Sequence, residues 1–77
     1  MHKTVVFEPV KSSQIKEIGH LDDTLYIKFR KGKIYTYRPV TQEKFEAFKK
    51  ADSLGSYFHK NFKANSELII KQVNNEH

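Results

Sequence analysis

The chain has no cysteine and no tryptophan, and only two prolines and three glycines among its 77 residues. Without thiols there are no disulfides and no thiolate metal sites, which fits a reducing cytoplasm, the expected location. No apolar run approaches the ~18 residues of a membrane-spanning helix. The opening Met-His-Lys-Thr-Val-Val-Phe-Glu-Pro has too short an apolar stretch for a signal peptide. Internal repeats, low-complexity tracts and Pro/Gly/Ser-rich linkers are also lacking, so one small domain is expected. A chain this short buries roughly 60–65% of its unfolded surface. Six Phe and four Tyr must therefore supply much of a thin core, each ring burying ~150–250 Å².

The most telling absence is local. Residues 24–38, Thr-Leu-Tyr-Ile-Lys-Phe-Arg-Lys-Gly-Lys-Ile-Tyr-Thr-Tyr-Arg, contain no acid but five basic side chains. Outside them the chain carries nine charges of each sign, so the whole formal charge of +5 resides in this stretch. Leu25, Ile27 and Phe29 alternate with Tyr26, Lys28 and Arg30, the period-2 pattern of a half-buried strand. Gly32 supplies a positive-φ turn, Ile34 to Arg38 returns, and Pro39 ends the ladder. Basic side chains interleaved with Tyr26, Tyr35 and Tyr37 are the pattern expected for a polyanion with stacking bases.

Around this hairpin the expected fold is α+β. A three-stranded antiparallel meander over about residues 14–38 is packed by two short helices, about 42–51 and 54–64. Room is left for an extra short strand at each end. Residues 1–9 form an N-terminal segment in which 4–7 read as an edge strand closed by Pro9. Ile15, Ile18 and Leu21 lead into the turn pair Asp22-Asp23. Thr41 caps the first helix, with Val40 and Phe45 at hydrophobic-staple positions. Ser53 caps the second, where Leu54, Phe58 and Phe62 recur every four residues. Residues 66–73 read either as a helix extension or as a strand, expected to pair with 4–7, and 74–77 as a disordered tail. The expected core is Ile15, Ile18, Leu25, Ile27, Phe29, Phe45, Phe48, Leu54, Phe58 and Phe62.

The order of these residues resembles the KTSC domain family. The likeness runs through Ser12-Ser13, Ile15, Ile18-Gly19-His20, Leu25, Ile27, Phe29, Gly32, Tyr35-x-Tyr37, Val40, Phe45, Ala51, Ser53, Gly55 and Tyr57-Phe58. It covers about residues 10–65. The family is named for its occurrence at the C-terminus of some lysyl-tRNA synthetases, and it also occurs as small stand-alone proteins. The resemblance implies a shared fold and, through the synthetase context, RNA as a partner. This chain departs from the family pattern at His20, where Tyr is usual, and at Phe62-Lys63, where an aliphatic residue precedes the basic one.

The direction of Tyr35 and Tyr37 depends on the turn. A two-residue turn at Lys31-Gly32 sets Tyr26 opposite Tyr37 and turns both motif tyrosines away from Leu25 and Ile27. A three-residue loop, Arg30-Lys31-Gly32, sets Ile27 opposite Tyr35 and Leu25 opposite Tyr37, which puts the tyrosines under the helices. Gly at the third loop position is the commoner chemistry, so the buried register is the better fit.

The candidate nucleic-acid-binding residues are Tyr26, Lys28, Arg30, Lys31, Lys33, Tyr35, Tyr37 and Arg38, extended by Lys60 and Lys63. The expected function is a non-catalytic binding module for RNA, either tRNA or single-stranded. The alternative is a protein-interaction module that docks a larger host. No enzyme activity is expected. Ser53 is explained as a helix cap, and no oxyanion-hole or nucleophile-elbow pattern surrounds Ser12 or Ser13. No metal site or cofactor is expected either, because His20 and His59 have no ligand spacing around them and His2 and His77 are terminal. A monomer without membrane attachment completes the expectation.

Overall fold

The computed structural model describes residues 5–73. Five strands form one antiparallel meander in chain order: β1 (Glu8–Pro9), β2 (Ile15–Leu21), β3 (Thr24–Phe29), β4 (Ile34–Arg38) and β5 (Ile69–Val73). Between β4 and β5 come α1 (Gln42–Lys49) and α2 (Leu54–Phe58), the latter continuing into a π-helical turn, His59–Lys63. The three expected strands are present, and each end adds one.

Two turns set the registers. Asp22 and Asp23 have φ of 51° and 58° and join Leu21 to its partner Thr24, a primed two-residue turn that short Asp side chains tolerate. Between β3 and β4, Gly32 adopts φ 99°, Gly32 N–H donates to the Phe29 carbonyl, and Phe29 N–H donates to the Lys33 carbonyl. This is the three-residue loop. Leu25 accordingly faces Tyr37 and Ile27 faces Tyr35. A bulge between Ile15 and Glu17 lets two residues three apart both point inward, as Ile15 meets Phe29 and Ile18 meets Ile27.

The inward face packs under the helices around Ile15, Ile18, Leu25, Ile27, Phe45, Phe48, Leu54, Phe58 and Phe62, all buried. Tyr37 and Val40 join this core, whereas Phe29 is only partly covered. The rings interlock edge to face: Phe48 with Phe62 at 5.2 Å, Tyr37 with Phe58 at 5.5 Å and Phe29 with Phe58 at 5.7 Å between centroids. Thr41 caps α1 by accepting from Lys44 N–H at 3.3 Å, and Ser53 caps α2 by accepting from Ser56 N–H at 3.3 Å. His20 stacks on Phe45 at 5.1 Å between ring centres and donates from Nε2 to the Val40 carbonyl. Its role is structural: it ties β2 to the entry of α1.

Four expectations need correction. Helix α1 ends at Lys49, short of residue 51, and the second helix changes after Phe58 to the wider five-residue hydrogen bonding seen from Ala64 N–H to the His59 carbonyl. The first strand is Glu8–Pro9, not 4–7. Residue 4 lies outside the described residues, as does the expected disordered tail 74–77. Residues 5–7 cross the outward face instead, where Val5 and Val6 lie over Gly19 and the Phe7 ring meets Tyr26 edge-on at 6.2 Å. Finally, residues 69–73 form a strand, but it pairs with β4 at the opposite edge of the sheet from β1.

Two substitutions test this packing. Phe58→Ala, which removes the ring shared by Phe29 and Tyr37, lowers unfolding free energy by ~3–5 kcal/mol in urea denaturation, a large share of the ~5–15 kcal/mol available to a small domain. At Gly19, a Cβ would lie 2.6 Å from Val5 Cγ1 and 3.0 Å from the Val6 carbonyl oxygen. Gly19→Ala therefore costs about 1–3 kcal/mol in the full chain, and that penalty disappears when residues 1–7 are deleted.

Candidate functional site

The register that buries the tyrosines also builds a groove. It lies on the helix side, between the β3–β4 loop and the π-helical turn, and has a volume of about 650 Å³. Phe29, Tyr35, Tyr37 and Phe58 supply its aromatic wall. Arg30, Lys31 and Lys33 come to it from the loop, and His59 and Lys63 from the π-helical turn. Ser13, Gln14 and Ile70 complete the lining, which contains no acidic side chain among the described residues.

Strand alternation explains the aromatic wall, because Tyr35 and Tyr37 occupy one face of β4 and Lys33, just before the strand, is in step with them. The rings hold one another in place: Phe29 stands edge-on to Tyr35 at 5.7 Å and to Phe58 at 5.7 Å. The π-helical turn keeps Phe62 in the core while His59 and Lys63 reach the groove. Turns of this kind recur at functional sites.

The cations differ in how they are held. Arg30 donates from Nε to the Ser12 carbonyl at 2.8 Å, and its backbone N–H donates to the Gln14 carbonyl at 3.0 Å. That fixes the guanidinium, and its terminal amino groups make no hydrogen bond or ion pair among the described residues. Among the described residues, Lys31, Lys33 and Lys63 have no carboxylate within 4.0 Å. Lys49, in contrast, lies 3.2 Å from Glu8, 3.8 Å from Glu46 and 5.3 Å from the Phe45 ring centre, and serves to tie β1 to α1. Tyr35 and Tyr37 make no side-chain hydrogen bond among the described residues, and neither hydroxyl is sealed from solvent. Burial of Tyr37 raises its phenol from the usual 10 to about 12, and the charge of a neighbouring Tyr35 phenolate pushes the same way.

The KTSC domain model matches residues 11–65 of the chain. The chain belongs to the KTSC domain family. Among solved structures, a KTSC domain protein from Yersinia pestis is 28% identical and superposes with a TM-score of 0.80, covering 92% of this chain and 100% of that one. No curated protein matches. Strands β1 and β5 fall outside the matched residues and occupy the two edges of the sheet. In this KTSC domain the Tyr-x-Tyr motif, Tyr35 and Tyr37, forms the back of the groove.

The hairpin's residues do not converge on one patch. Arg30, Lys31, Lys33, Tyr35, Tyr37 and Lys63 line the groove. Tyr26, Lys28 and Arg38 lie on the opposite face of the sheet, since their register partners Thr36, Ile34 and Ile69 alternate away from the tyrosines. There Tyr26 is occupied by Phe7, and Lys28 has Glu17 as its cross-strand neighbour. Lys60 is exposed on the π-helical turn and is not part of the lining. Sequence reasoning missed Phe29 and Phe58, which it assigned wholly to the core, and also His59, Ser13, Gln14 and Ile70. The loop register was the signal available for Phe29, because it sets that ring beside Tyr35. Among the described residues no group of three or more potential ligands is placed to hold a metal ion, and no helix is long and apolar enough to cross a membrane.

The Tyr37 environment is testable by pH. A phenol whose ionisation is raised on folding stabilises the folded state fully below pH 10, and that contribution is lost as pH rises towards about 12. Urea midpoints of the native chain therefore fall more steeply between pH 10 and 12 than those of Tyr37→Phe. A phenol ionising near pH 12 in ultraviolet titration is absent from the variant.

Proposed function

We propose that this KTSC domain is a non-catalytic module that binds RNA or another nucleic acid through the helix-side groove. One observation carries the reading. The groove brings aromatic rings and four Lys or Arg side chains together, with no acid among its described lining residues. Phosphates gain from such cations without regard to sequence, and bases gain from ring faces. The hairpin's remaining cations, Lys28 and Arg38, belong to the other face and are not part of this surface.

Titration of labelled single-stranded RNA and of tRNA at two salt concentrations tests the reading. Binding is expected at low salt and weakens steeply as salt rises, by about 0.7 in the logarithmic slope for each phosphate neutralised on a single strand. Replacing Arg30, Lys31, Lys33 and Lys63 together by Gln flattens that slope. Replacing Lys28 and Arg38 leaves it nearly unchanged. No binding at low salt overturns the proposal.

The sheet edge favours a second reading, a protein partner. Strand β5 ends the sheet, and Ile69, Ile70 and Val73 are 56%, 43% and 38% exposed. Such an edge can accept another strand. A single protein partner captured irrespective of salt and nuclease, and lost in Ile69→Lys, is the expected result of that reading.

A further inference from the structure

We infer that the groove takes one unpaired nucleotide at a time, its base packed against Tyr35 and Phe29 and its two flanking phosphates held from opposite sides. This rests on the nucleic-acid reading and adds which form of nucleic acid the site selects. Three observations lead to it.

The first is size. About 650 Å³ suits a drug-sized aromatic ligand, well within the range of small-molecule sites. A duplex cannot enter, because its bases are stacked and paired and present only edges and backbone. A base splayed out of a single strand exposes the π-face that this wall would meet.

The second is the disposition of charge. Arg30, Lys31 and Lys33 stand on the β3–β4 loop, and Lys63 stands on the π-helical turn, a separate element lining the same groove. Consecutive phosphates flank every nucleotide in a strand, so cations on both sides match a chain passing through. A free mononucleotide, with phosphate on one side only, would leave either the loop's three cations or Lys63 without a phosphate. Arg30 is also pre-oriented by its 2.8 Å bond to the Ser12 carbonyl, and its terminal amino groups, without a partner among the described residues, can take a phosphate.

The third is the wall itself. The Tyr35 and Phe29 rings are locked edge to face at 5.7 Å, so little side-chain order has to be gained on binding. The Tyr35 and Tyr37 hydroxyls have no hydrogen-bond partner among the described residues, which leaves them for a base edge.

The test compares four probes at low salt by fluorescence anisotropy or competition: a labelled single-stranded RNA hexamer, the same sequence as a blunt duplex, AMP, and inorganic phosphate. The hexamer should bind at least tenfold more tightly than either the duplex or AMP, with phosphate weakest. Tyr35→Ala should weaken the hexamer about 5- to 100-fold and leave the duplex unchanged, whereas Tyr35→Phe retains the preference. Lys63 is exposed, so Lys63→Gln keeps the fold whatever Tyr35→Ala does. It should lower the salt slope for the hexamer by about 0.7. The chain has no tryptophan, so quenching of tyrosine emission on hexamer binding gives a second readout of stacking.

Equal binding of hexamer and duplex, with Tyr35→Ala affecting neither, overturns base insertion and leaves the broader nucleic-acid reading standing. AMP bound as tightly as the hexamer, or a salt slope unmoved by Lys63→Gln, overturns the two-sided hold. Failure of both hexamer and duplex to bind overturns the broader reading together with this one.

Discussion

Everything on the helix side of this protein depends on the register between β3 and β4. Gly32 at φ 99° closes a three-residue loop, and that single extra residue decides which face of β4 turns towards the helices. Side chains alternate along a strand, so a slip of one position would exchange Tyr35 and Tyr37 for Ile34 and Thr36. With the observed register, Tyr37 packs against Phe58 and Tyr35 against Phe29, and the loop's cations stand beside aromatic rings. One turn thus couples the core of the domain to its candidate site.

That coupling gives the Tyr-x-Tyr motif two roles at two positions of one strand face. Tyr37 is 4% exposed and belongs to the core, while Tyr35 is half-buried and presents its ring to the groove. A motif read only as a stacking platform would overlook the first role, and one read only as core would overlook the second. The same duality holds for Phe58, which fills the space beneath the helices and also closes the groove. In a domain this small, few rings can serve packing alone, because the surface lies one side chain away from the interior.

The outward face has a different character. Its Tyr26 is covered by Phe7, and Gly19 leaves room for Val5 and Val6 to pass. Its cations Lys28 and Arg38 are separated from those of the groove by the thickness of the sheet. The formal charge of the hairpin is concentrated in sequence yet divided in space, because adjacent positions on a strand point to opposite faces. Charge counted along a chain measures how much field is available, and strand alternation decides where it appears.

Much of the architecture could be read from the residues themselves. The alternation of Leu25, Ile27 and Phe29, the Thr41 cap with its Val40 and Phe45 staple, and the spacing of Leu54, Phe58 and Phe62 are local patterns with local causes. The better-fitting loop register followed from the place of glycine at the third position of a three-residue loop. The inward bulge at Ile15, the edge chosen by β5, the path of residues 5–7 and the π-helical turn were decided only by long-range packing. None of them has a signature within a few residues of itself: a bulge answers to the strand opposite, and an edge strand to whichever ladder is left open. The groove belongs with these, because its two walls lie some thirty residues apart and meet only once the helices return over the sheet.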